Sequence, residues 1–178
     1  MAKKRAAKKA TGRSLKKSST TLGANFEVRL FKVALMYEKR IWRRIALLEK
    51  QTLDDLHLAI FGAFDRFDEH LYSFFFPFPG AKLEPWPRAA TEYSCAFNCE
   101  DPGPFREEPL LNAEETTLDS LDLSKGQKFL YLFDFGDEWW HEITYEDRAP
   151  RTPRMKYPRV MESRGESPPQ YVYDDDDE

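Results

Sequence analysis

The sequence predicts a single α+β domain: one mixed or antiparallel sheet of about five strands packed on one main helix, with a long proline-rich loop and disordered termini. Three features lead there. Two apolar segments alternate with polar residues before residue 48, and one amphipathic helical pattern follows Thr52. Residues 127–145, QKFLYLFDFGDEWWHEITY, then read as two strands about a Gly-Asp turn. With 178 residues and 15% aromatic content, the chain can fill one core and is short for two.

The pattern begins near Asn25, where Phe26, Val28 and Leu30 alternate with Glu27 and Arg29. Ile41 to Leu47 supplies a second strand after a connection at Tyr37-Glu38-Lys39, so the two should form a hairpin. Strand geometry sends Arg43 and Arg44 to opposite faces, so at most one can reach a buried acid and the other is solvated. Thr52 is placed to cap a helix, with Asp54 and Asp55 complementing the positive end of its dipole. Leu53, Leu56, His57, Ile60, Phe61 and Phe64 follow at helical spacing, which puts His57 in or beside the apolar stripe. The aromatic run His70 to Phe76 fits a buried strand. From Pro77 to Pro109 regular structure is broken, with room for a short strand at Glu92 to Phe97. Leu118 and Leu121 suggest one helical turn before the closing hairpin. After Pro150, the prolines at 153, 158, 168 and 169 favour an extended strap over a second domain.

In the closing hairpin, a two-residue loop at Gly136-Asp137 sets Asp134 opposite Trp139 with His141 on the diagonal. The alternative loop, Asp137-Glu138, sets Asp134 opposite His141. Both place Asp134, Trp139 and His141 on one face with Leu130, Leu132, Ile143 and Tyr145, whereas a three-residue loop would separate Asp134 from His141. Buried polar groups are paired, so an Asp134–His141 pair bracing the hairpin is the plain expectation.

Charge divides the chain into a basic disordered arm (1–22), the domain (23–150) and a proline-rich strap with an acidic disordered tail (151–178). Lys3, Lys4, Arg5, Lys8, Lys9, Arg13, Lys16 and Lys17 give the first twenty residues +8 without an acid, leaving 19 basic against 31 acidic residues elsewhere, a net of −12. Asp174 to Glu178 supply five of those acids, so residues 21–173 carry −7. Such blocks repel themselves and lack apolar anchors. The arm suits nonspecific phosphate contacts, but an acidic body argues against an extended DNA groove. No apolar run approaches a membrane span, and the basic N-terminus lacks the hydrophobic stretch of a secretory signal, so a cytoplasmic protein is expected. Cys95 and Cys99, if extended, stand about 13 Å apart, too far for a disulfide, and read as free thiols.

The candidate polar site gathers His57, His70, Asp134, Asp137, Trp139 and His141. Imidazoles with a carboxylate could hold a transition metal, with His57, His70, His141 and Asp134 as ligands, or perform acid-base chemistry if they converge. The residues identify no particular cofactor. Asp134-Phe135-Gly136 spells a kinase tripeptide, yet no glycine-rich phosphate loop or catalytic loop accompanies it, so it reads as a turn.

The blocks IWRRI (41–45), TLDDLHLAIFGAF (52–64), HLYSF (70–74) and KFLYLFDFGDEWWHEI (128–143), in this order and spacing, resemble the plasmid pRiA4b ORF-3-like family, sometimes described as passenger proteins of mobile elements. YPRV (157–160) and PPQY (168–171) resemble its tail, although the glycine-rich aromatic ending of many relatives is replaced here. The resemblance implies an α+β fold, β-grasp-like in outline, and brings no catalytic residues. The expected role is a noncatalytic binding or accessory module that meets a protein partner through the long loop or a strand edge. A metal-dependent enzyme using the His/Asp cluster and a weak nucleic-acid binder using the arm are the alternatives.

Overall fold

The computed structural model describes residues 26–101, 103 and 109–171; the basic arm and the acidic run lie outside them. The elements are β1 (Phe26–Leu35), β2 (Trp42–Leu48), α1 (Leu53–Ala63), β3 (Tyr72–Pro77), β4 (Ala90–Ser94), α2 (Ala96–Glu100), β5 (Leu111–Asn112), β6 (Lys128–Phe133), β7 (Trp139–Pro150) and β8 (Arg159–Arg164). They form one α+β domain built on an eight-stranded mixed sheet of order β5-β4-β3-β6-β7-β1-β2-β8, antiparallel except for β4–β5. The expected five strands are thus too few. β5 is two residues long, and β8, Arg-Val-Met-Glu-Ser-Arg, has no buried residue to impose an apolar alternation.

Helix α1 starts where its sequence directs. The Thr52 hydroxyl accepts from the Asp55 backbone N–H at 3.1 Å and the Asp55 carboxylate accepts from the Thr52 N–H at 2.8 Å, a reciprocal capping box. Leu53 and Asp54 donate their N–H groups to the carbonyls of Thr116 and Ala113, so the first turn is tied to the segment after β5. Leu53, Leu56 and Ile60, with the C-cap Phe64, bury against Phe31, Val33, Ile45, Leu47, Phe74, Phe129, Tyr131, Phe133 and Ile143 on one sheet face. The opposite face carries a smaller cluster of Phe75, Leu130, Leu132 and Trp140, against which Leu83 and Phe135 pack. Trp86, from the proline-rich excursion, meets Phe75, Phe135 and Trp140 edge to face.

The two arginines of β2 do leave on opposite faces, and neither is merely solvated. Buried Arg43 finds carbonyls where an acid was one expectation: it donates to Ala63 at 2.7 Å and to Trp42, Arg164 and Gly165 at 3.0 Å each. One guanidinium therefore clamps the end of α1 to the end of β8. Arg44 pairs with Glu146 at 2.6 Å and with Glu162 across the other face.

The β6–β7 connection corrects the expected register. Phe133 pairs with Trp139 and Tyr131 with His141, so five residues, Asp134 to Glu138, form the loop. The Asp134 carboxylate accepts from the N–H groups of Gly136 (2.9 Å) and Asp137 (3.2 Å), and Glu138 donates its N–H to the Asp134 carbonyl at 2.8 Å. Asp134 and Glu138 adopt φ of 58° and 52°, a left-handed region that Asp tolerates through such local bonds. This odd loop reverses the parity: Leu130 and Leu132 face away from His141, Ile143 and Tyr145, and Asp134 belongs to the turn instead of a strand face.

The segment after Pro150 is not only a strap: residues 159–164 return as β8 beside β2. Cys95 and Cys99 are free; Cys95 is the N-cap of α2 and Cys99 lies on that helix, so the segment is not extended through to Cys99. Gly165 follows β8 with φ of +73°, and a Cβ there would stand 2.9 Å from Ile41 Cγ1. Gly165→Ala is therefore expected to cost at least about 1–2 kcal/mol from backbone strain. In hydrogen exchange, protection should fall first at β8, and a variant as stable as the parent would contradict the packing.

Candidate functional site

Aromatic residues surround the three histidines, and each imidazole has its own partner. His57, on the sheet-facing side of α1, shares a 2.7 Å hydrogen bond through Nδ1 with the buried Tyr131 hydroxyl and stacks on Tyr72 at 3.8 Å. Tyr72 in turn donates to Asp54 at 2.6 Å. Burial pushes His57 down to about 3 and holds the Tyr131 phenol protonated.

His141 lies in the same interior, its ring centroid 5.3 Å from that of Tyr131 and 4.8 Å from that of Phe64. Its pKa falls to about 3, first through burial and then through the positive charge of Arg66. Nδ1 lies 2.9 Å from the Trp139 carbonyl, which can only accept, so the neutral ring carries its proton on Nδ1 and presents a lone pair at Nε2. That buried Nε2 has no hydrogen-bond partner among the described residues.

His70 belongs to the rim. Its Nε2 lies 2.8 Å from the Tyr171 hydroxyl, 3.4 Å from Asp134 Oδ2 and 3.7 Å from Asp68 Oδ2, while Tyr171 donates to Asp68 at 2.8 Å. Asp134 thus neighbours His70; the expected pair with His141 is not formed, because the five-residue loop removes Asp134 from the strand. Asp137 is exposed on the turn, and half-buried Trp139 lies under a guanidinium. The six residues therefore fall into an interior group, a rim group and a turn. Among the described residues no three His, Cys, Asp or Glu side chains converge as metal ligands.

Two features escaped sequence reasoning. Arg66, within Asp-Arg-Phe-Asp, is 6% exposed and lies with its guanidinium carbon 3.7 Å from the Trp139 ring centroid. Nothing local marks it as buried, because the chain that covers it lies about a hundred residues away: Arg66 donates to Pro168 O at 3.0 Å, and Gln170 accepts from the N–H groups of Phe67 and Asp68. The second feature is the edge formed by β8 with its approach segment. Arg151, Arg154, Lys156, Arg159 and Arg164 are exposed there and make no ion pair among the described residues, while the single acid of that stretch, Glu162, is engaged by Arg44. Its signal was legible as five cations in fourteen residues of an otherwise acidic body.

Val160 pairs with Ile45 and so shares the α1 side of the sheet, where it lines a groove of ≈ 350 Å³ with Pro158, Leu58, Ala59 and Gly62. By register Arg159, Glu162 and Arg164, opposite Ala46, Arg44 and Trp42, belong to the other side, and Arg159 also borders the groove. A register shift between the Ile45 and Arg44 pairings puts a bulge at Met161.

A family model described as plasmid pRiA4b ORF-3-like protein matches residues 27–174. Among solved structures, a protein of unknown function from Methanosarcina mazei Go1 is similar at 25% identity with a TM-score of 0.62, over 80% of this chain and 72% of that one. No curated protein matches the sequence. No helix among the described residues is long and apolar enough to cross a membrane.

The two depressed histidines fix a pH response. Both are neutral when folded and gain protons near pH 6.5 when unfolded, so the unfolded chain binds more protons between about pH 3 and 6.5 and stability falls as pH drops through that window. Urea denaturation from pH 7 to 4.5 should show a loss approaching about 1.4 kcal/mol per pH unit for each histidine. His57→Gln should flatten the slope by about half; an unchanged slope would show that His57 is not buried neutral.

Proposed function

This chain belongs to the plasmid pRiA4b ORF-3-like protein family, and from that premise we propose that it is a noncatalytic, cytoplasmic binding module whose edge strand β8 receives an extended acidic segment of a partner protein. The observation that carries this reading is a strand edge that is open, and lined by arginines without an ion pair, among the described residues of a domain that is otherwise acidic. A strand laid along β8 adds main-chain hydrogen bonds to the sheet, and alternate side chains then fall on opposite sides. On the α1 side they meet Val160 and the Leu58 groove; on the other they meet Arg159 and Arg164. The complementary segment therefore alternates apolar and acidic residues.

The same features disfavour a second copy of β8 as the occupant, since two such edges would set arginines against arginines and the bulge at Met161 interrupts a regular ladder. Nucleic acid matches the charge but leaves the apolar groove and the backbone edge unused. The three histidines take separate partners among the described residues, which favours this reading over a metal enzyme.

A fluorescein-labelled peptide of alternating Val and Glu should bind in fluorescence anisotropy, more weakly as salt rises. A peptide of equal composition with its Val and Glu in separate blocks should bind at least about tenfold less tightly, as should the protein variant Arg159→Glu/Arg164→Glu. Equal binding of both peptides, or indifference to the double substitution, would refute the strand-addition reading.

A further inference from the structure

The buried arginines of this domain are treated unequally by their surroundings. Arg43 donates to four backbone carbonyls, and Arg29 reaches Leu121 O at 3.1 Å with Glu49 3.8 Å away. Arg66 has one carbonyl, Pro168 O, and its Nε and Nη2 atoms are buried with no hydrogen-bond partner among the described residues. No carboxylate stands within ion-pair distance of it among those residues either. Nε and Nη2 form the guanidinium edge that grips a carboxylate with two parallel hydrogen bonds. A buried charge without such a partner is costly, which makes the arrangement one that an anion would complete.

Two further buried atoms share this property. Among the described residues Trp139 Nε1, on the indole beneath Arg66, is a donor without a hydrogen-bond partner, and His141 Nε2 is an acceptor without one. Trp139 and His141 alternate along β7, so they face the same side roughly 7 Å apart. The strap supplies the lid: Ser167 donates to Phe64 O at 2.7 Å, Gln170 donates to Asp68 O at 2.9 Å, and Tyr171 packs on Phe67.

We propose that Arg66, Trp139 and His141 form a binding site for a carboxylate carrying a neutral hydrogen-bond donor on its α-position, closed by the Ser167–Tyr171 strap. Arg66 takes the carboxylate in bidentate fashion, Trp139 adds a donor, and the lone pair of His141 accepts from the neighbouring O–H or N–H. An α-ammonium group is disfavoured beside the guanidinium. Two ligands have this chemistry, a small 2-hydroxy acid and the C-terminal residue of a peptide, whose amide N–H adjoins its carboxylate. The site is separate from the β8 edge and does not depend on the reading given for it.

Isothermal titration of the full chain decides between these outcomes, with lactate, propionate, inorganic phosphate and N-acetyl-triglycine as free acid or amide. Lactate or the free-acid peptide should bind saturably. Whichever binds identifies the source, and propionate, the amidated peptide and phosphate should each bind at least about tenfold less tightly. Arg66→Lys keeps the charge but loses the fork and should weaken binding by a similar factor. Trp139→Phe keeps the ring, removes the N–H, and should weaken it several-fold, while Arg159→Glu/Arg164→Glu should leave it unchanged. Absence of saturable binding of either acid up to about 10 mM, equal binding of phosphate or propionate, or affinity unaltered in both Arg66→Lys and Trp139→Phe would overturn the assignment.

Discussion

The orientation of β7 governs this structure, and it is set by the number of residues in one turn. Side chains along a strand alternate strictly, so a loop of five between Phe133 and Trp139 sends Tyr131, His141, Ile143 and Tyr145 into the main core and Leu130, Leu132 and Trp140 to the other face. A loop of two would have put Leu130 and Leu132 on the same face as His141 and Ile143. Asp134 enforces the count by using its carboxylate to satisfy two backbone N–H groups inside the turn. The aromatic cluster beneath α1, the pairing of His57 with Tyr131 and the position of Trp139 under Arg66 all follow from that choice.

The main core is unusual for the polar groups it holds among its rings. Two imidazoles stay neutral because burial penalises their charged forms, and the Tyr131 hydroxyl bridges helix and sheet without ionising. The arginines cannot escape charge in this way, since a guanidinium does not deprotonate in a protein. Their environments must therefore supply oxygen atoms. Arg43 receives four carbonyls and joins three separate pieces of chain, whereas Arg66 receives one; the first arrangement is structural, and the second leaves hydrogen-bonding capacity facing the interior.

Features governed by neighbouring residues were legible in the sequence. Thr52 and Asp55 announced the start of α1, its apolar spacing gave the buried face, and the adjacency of Arg43 and Arg44 gave their divergence. The blocks matching the family lie on the strands and helix of the core. What was hidden depends on distant chain or on counting. Gly136-Asp137 imitates a two-residue turn because the signal is dipeptide chemistry, which carries no information about where pairing resumes. β8 lacked an apolar alternation because it has no buried residue. Arg66 looked like one more surface charge because the strap that covers it is remote in sequence. Of the six candidate residues, His57 was correctly placed beside the apolar stripe, while the partnership of Asp134 was misassigned by the same parity error.

The clamp formed by Arg43 also bears on how the chain acquires its shape during synthesis. The donor and the carbonyl that it holds at the end of β8 are 121 residues apart, so β2 emerges from a ribosome long before the strand that covers its outer side. Until then, β2 is the margin of a partial sheet, with exposed amide groups available to any neighbouring nascent chain. Closure of that margin over such a separation is entropically slow, and the interval before it is when this protein would most need a chaperone.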